Sequence, residues 1–159
     1  MEPQIELLKE KKVVGCNIKM SLTKNRTFEL WHHFMPLRKD IKNVINNNLI
    51  SLRVCQTPLI TPTDFQEEFK KWATVEVSQF DAIPKHMQSL TIEEGLYAKF
   101  DYKGLNTDTS IFDYIYSKWI PNSMYNLDHR PHFEVLGEKY KNNDVNSEEE
   151  IWIPIKLKA

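Results

Sequence analysis

WATVEV, residues Trp72 to Val77, returns eighty positions later as WIPIKL, residues Trp152 to Leu157. Each run alternates in the manner of a strand, and the sequence around them repeats as well. A displacement of 85 sets Phe34-Met35-Pro36 on Trp119-Ile120-Pro121 and Leu30 on Ile115. Upstream of the first copy, KKVVGCNIKMSL places Val14, Cys16, Ile18, Met20 and Leu22 on one strand face. NRTFELWHHFMPLRKDIKNVI then has helical spacing, with Asn25 as N-cap and Pro36 as an interruption. ISLRV and WATVEV follow as strands, separated by the turn-rich TPLITPTDF. The second half keeps the order: GLYAKFDYKG as a strand, DTSIFDYIYSKWIP as a helix ending at its proline, then HFEVLGEKY and EEIWIPIKL as strands. The pattern predicts an α+β fold of two βαββ units, 10–80 and 95–159, within a single domain covering residues 1–159. Half a core cannot bury its own apolar face, so each unit needs its copy. DAIPKHMQSLTIEE, Asp81 to Glu94, lacks a period of its own and reads as the connector.

The composition narrows the function. The chain has 159 residues, 41% of them hydrophobic, and 21 Lys+Arg balance 22 Asp+Glu. That profile is globular and carries no basic excess for a phosphate backbone, which speaks against direct nucleic-acid binding. The start, MEPQIELLKEKK, lacks the features of a signal peptide, and no apolar run approaches the ~20 residues of a membrane span. The expected location is the cytoplasm, with Cys16 and Cys55 as reduced core residues. His32 and His33 are adjacent and point about 100° apart on a helix, so no metal site is expected. The dispersed glycines form no phosphate loop, and no nucleophile elbow occurs, so no cofactor is expected.

Strand parity suggests where chemistry sits. Ile151, Ile153, Ile155 and Leu157 suit packing under a helix, which throws Trp152 to the other side. Leu96, Ala98 and Phe100 do the same to Tyr97, and the repeat extends the argument to Trp72. Phe133 and Val135 point one way in their strand, Glu134 and Leu136 the other. The face away from the helices is thus expected to gather Trp72, Tyr97, Glu134 and Trp152 into a pocket of flat rings around one carboxylate. Trp31, Phe34, Tyr116 and Trp119 recur at helical spacing that suits either core packing or pocket lining. The acidic run SEEE, Ser147 to Glu150, reads as a solvated lead-in to the last strand.

The run from Gly95 to Lys156, with GLYAKFDYKG, SKWIP, HFEVL and EEIWIPIK, resembles the GyrI-like effector-binding domains. The first half, with MSL, ELWHHFMP and FKKWATVEV, is similar to the free-standing members, including integron-associated effector-binding proteins. The resemblance implies a pseudo-twofold antiparallel sheet with helices on one face and a ligand cleft between the repeats. It also implies a lipophilic, often cationic ligand, aromatic walls and a central glutamate, which falls on Glu134 of the FEV motif. Tyr97, Trp152, Trp72, Trp119 and Phe34 complete the expected ligand-binding set. About a dozen residues precede the first expected strand, too few for the DNA-binding domain that many family members carry. Three readings remain open: a small-molecule binding protein, a hydrolase of strained electrophiles with Glu134 as its catalytic group, and a module that binds gyrase or a separate transcription regulator.

Overall fold

In the computed structural model, which describes residues 1–55 and 67–159, the core is built around one long antiparallel sheet. TPLITPTDF lies outside the described residues. The strands are β1 (Gln4–Leu8), β2 (Lys11–Met20), β3 (Leu49–Cys55), β4 (Phe69–Val77), β5 (Gln88–Ile92), β6 (Gly95–Lys103), β7 (Tyr125–Leu127), β8 (His132–Leu136) and β9 (Glu148–Leu157). They run in the order β1-β6-β9-β8-β3-β4-β2-β5, with β7 attached to β9. The order reads the same from either end: β6-β9-β8 of the second half faces β3-β4-β2 of the first, and the halves join along β8–β3.

The segments before β2 and β6 are exchanged between the halves. β1 leads into β2 yet pairs with β6, and β5 leads into β6 yet pairs with β2. The stretch expected to be a plain connector therefore contains β5, and the N-terminal residues form β1. Leu8 pairs with Gly95 and Lys11 with Ile92, so β2 and β6 begin beside each other although four strands separate them in the sheet. The sheet must curl for this to happen, and Lys9 meets Glu94 at 3.2 Å at the corner.

The curl gives the helix-free face its own core. Leu8, Val13, Ile50, Leu52, Trp72, Ile92, Tyr97, Phe133 and Trp152 pack together there. β2 and β4 approach each other so closely that a Cβ on Gly15 would meet the Ala73 carbonyl oxygen, a backbone atom that has nowhere to go.

α1 (Thr27–Phe34) buries Leu30 and Phe34 over β2 and β4. Its cap lies one residue after the expected one: Asn25 Oδ1 accepts the Thr27 N–H at 2.9 Å, while the N-cap position is Arg26. At Pro36, whose ring removes a donor, the helix tightens into a 3₁₀ segment, Met35–Asp40. In the second half, α2 (Ser110–Tyr114) continues through a π-turn, Ile115–Trp119, into α3 (Ile120–Asn122). Ile111 and Ile115 are four apart but Ile120 is five further on, and all three are buried over β6 and β9. The extra residue of the π-turn brings Ile120 back to the core. Pro121 consequently lies inside the final turn instead of ending the helix. Among the described residues, no helix is long and apolar enough to cross a membrane.

Candidate ligand cleft

Residues directly opposite each other in an antiparallel ladder point to the same side of the sheet. Glu134 pairs with Ile151 of β9 and Ser51 of β3. Ile151 belongs to the core beneath α2, so Glu134 faces the helices. Phe133 pairs with Trp152 and with Leu52, and Leu52 with Trp72, which fixes those rings on the opposite face. The expected gathering of Trp72, Tyr97, Trp152 and Glu134 on one surface is corrected: the rings share a face and Glu134 lies on the other.

The rings are also sealed. Trp72 is 5% exposed, Tyr97 0% and Trp152 8%, because the curled sheet closes over them. Phe133 and Trp152 stack 5.5 Å apart with 9° between their planes, and the Tyr97 hydroxyl donates to the Pro131 carbonyl at 2.9 Å. Phe34 is fully buried under α1. Trp119 packs against Phe100 and Tyr125 and lines an outer groove of about 510 Å³ with Pro3, Ile5 and Met124, on the side of β1 and β7. None of these five rings is grouped with Glu134.

What surrounds Glu134 is polar. α1 covers β2 and β4, and the second helical run covers β6 and β9, so the two flank the central strands β8 and β3. On the helix-facing side of that strip the register places Ser51, Arg53 and Cys55 from β3, His132 and Glu134 from β8, Lys71 from β4 and Glu149 from β9. Tyr116, carried by the π-turn, reaches in and bonds through its hydroxyl to His132 Nδ1 at 2.8 Å. π-turns in other helices often mark functional positions.

Two carboxyl groups meet here. Glu149 lies diagonally across the β8–β9 ladder from Glu134 and hydrogen-bonds to it. Burial first, then the charge of Glu134 and that hydrogen bond, push the Glu149 carboxyl up to about 8, against the opposing pull of Lys71. Glu149 therefore keeps its proton at neutral pH and shares it with Glu134. The SEEE run is corrected accordingly: Glu148 to Glu150 open β9 and are only partly exposed, and Ser147 before them is buried. Burial and the nearby Arg53 charge push His132 down to about 3, leaving a neutral imidazole. Burial also raises the Tyr116 phenol. The strip thus has an acidic end at Glu134–Glu149 and a basic end at Arg53.

The expected set omitted Glu149, His132 and Arg53. For Glu149 the signal was present: it has the parity of Ile151, Ile153 and Ile155, and so must face the helices with them.

A sequence profile of integron-associated effector binding proteins matches residues 4–155. No curated protein matches the chain. Among solved structures, the fold is similar to that of SAV2435 bound to tetraphenylphosphonium, with a TM-score of 0.70 and 17% identity over 98% of this chain and 94% of that one. It is also similar to an integron cassette protein of Vibrio cholerae, with a TM-score of 0.68 and 14% identity over 98% and 96% of the two chains. A hydrolase from Listeria innocua has a TM-score of 0.60 and 9% identity over 98% and 92%.

Proposed function

Because the chain belongs to the integron-associated effector binding proteins, the family profile matching residues 4–155, we propose that it binds a lipophilic cation over the β8–β3 strip that its two helical runs flank, with Glu134 as counter-charge. The observation that carries this reading is the position of Glu134: at the seam of the two halves, on the helix-facing side, hydrogen-bonded to a second carboxyl group. A half-buried carboxylate favours a weakly hydrated organic cation over a strongly hydrated inorganic one, since the organic ion gives up less hydration on entering. The similar fold of SAV2435 was solved with such a cation. Titration with tetraphenylphosphonium, followed calorimetrically, tests the proposal. Wild type binds, and Glu134→Gln loses about 10-fold or more in affinity. Equal affinity of the two proteins overturns the role given to Glu134.

A second reading has its own support in the shared proton. A protonated Glu149 beside Glu134 is an acid–base pair of the kind that opens a strained electrophile, one group delivering a proton and the other activating water. Turnover of cyclopropane-containing electrophiles that disappears in Glu134→Gln would establish hydrolysis. Binding without turnover rejects it.

A further inference from the structure

We propose that the Arg53–His132 end of the β8–β3 strip is a second subsite, which takes a carbonyl or carboxylate oxygen of the same ligand whose cationic part faces Glu134. The proposal rests on the binding reading above and defines the ligand class further. Arg53 and His132 are direct partners across the β3–β8 seam, both on the helix-facing side. His132 is only 6% exposed. Its Nδ1 is engaged by the Tyr116 hydroxyl at 2.8 Å. Burial keeps that phenol protonated, and among the described residues His132 Nδ1 is the partner of its hydroxyl. The arrangement that leaves the fewest buried groups unpaired has the hydroxyl donating to Nδ1 and the single proton of the neutral imidazole on Nε2.

His132 Nε2 is buried and has no partner among the described residues, and the same is true of Arg53 Nε, an obligate donor whose guanidinium lies 4.2 Å over the Phe69 ring. Two buried N–H donors thus sit on adjacent strands whose paired Cα atoms are about 5 Å apart. A buried donor left unpaired costs roughly 1–3 kcal/mol, so one oxygen bonding both removes a double penalty. The positive charge of Arg53 favours an oxygen bearing negative or partial negative charge. His132 and Glu134 are two residues apart on one strand face, which sets the two ends of the strip about 7 Å from each other. The ligand class that satisfies both ends is an organic cation with an oxygen acceptor at about that spacing.

The test compares two matched cations: benzoylpropyl-trimethylammonium, and phenylbutyl-trimethylammonium, in which a methylene replaces the carbonyl. Wild-type protein is expected to bind the ketone about 10-fold more tightly. His132→Phe and Arg53→Met each bring that preference, read as the ratio of the two affinities within one protein, to within about 2-fold. Equal affinities in wild type overturn the subsite and leave the Glu134 reading standing. If wild type binds neither compound nor tetraphenylphosphonium, both readings fall. Should the variants not fold, the wild-type protein decides by NMR. The His132 Nε2–H resonance moves downfield with the ketone and not with the hydrocarbon, and an unchanged resonance overturns the subsite.

Discussion

Glu149 hydrogen-bonds to Glu134 diagonally across the β8–β9 ladder, so the seam of the sheet holds a carboxyl pair with one shared proton. The pair makes cation binding depend on pH. Below about 8 Glu149 keeps its proton, and a cation over the strip meets one negative charge; above it, two. Around the pair, His132 is held down to about 3, and burial raises the Tyr116 and Tyr140 phenols. We expect tetraphenylphosphonium affinity to rise roughly 3- to 10-fold between about pH 6.5 and 9.5, with release of a proton on binding. Calorimetry in buffers of different ionisation enthalpy measures that proton. A flat profile shows that the shared proton is not coupled to binding.

The same proton sets a stability trend. Glu149 titrates in the folded protein near 8 and, unfolded, near its ordinary value of 4.5. Because the folded value is the higher one, its stabilising contribution is complete below about 4.5 and is lost progressively as pH rises to about 8. Glu149→Gln keeps a donor toward Glu134 and removes the titration. We expect this variant to match wild type near pH 4.5 and to exceed it by about 2 kcal/mol near pH 9, less than the whole shift converts to because the carboxyl retains some water. Urea denaturation at the two pH values is the measurement, and parallel behaviour of the two proteins contradicts the assignment.

The alternation of Ile151, Ile153 and Ile155 was enough to send Trp152 to the helix-free face, and the same rule correctly separated Tyr97 from Ala98 and Phe100. In HFEVL it separated Phe133 from Glu134, but the strand has apolar residues on both faces, so its own pattern could not say which one lay under the helices. Pairing decides that, and pairing between β8 and both β9 and β3 is a long-range property. The exchange of β1 and β5 was hidden for a related reason: QIELL and QSLTI are short, and each finds its partner in the opposite half. Without that exchange the curl is invisible, and a helix-free face rich in Trp and Tyr looks like a pocket instead of a second core. Arg53 and His132 stand in different strands far apart in the chain, and only the register sets them opposite each other.

If that helix-free face is core, substitutions there must alter stability without altering recognition. Trp152→Phe keeps an aromatic partner for Phe133 but loses ring area and the Nε1–H bond to Glu150 Oε1, 3.1 Å long. We expect a loss of about 1–2 kcal/mol in chemical denaturation and tetraphenylphosphonium affinity within about 2-fold of wild type. A selective collapse of affinity with stability retained would return Trp152 to the binding site.

The closeness of β2 and β4 gives the most demanding prediction. A Cβ on Gly15 runs into the Ala73 carbonyl, and Ala73 is held on its other side by β3, where Ser51 is its partner. Neighbouring Thr74 adds a hydrogen bond from its hydroxyl to the Ile50 carbonyl at 2.8 Å, so β4 cannot retreat without loosening two ladders. Gly15→Ala should therefore cost at least about 3 kcal/mol, measured as a lower urea midpoint or as failure to accumulate soluble protein. Gly137→Ala is the matched control, because there the nearest atom is the end of the Asn48 side chain at 3.3 Å, which can swing aside. It should change stability by no more than about 0.5 kcal/mol. Equal effects of the two substitutions would mean that β2 and β4 do not approach each other closely at Gly15.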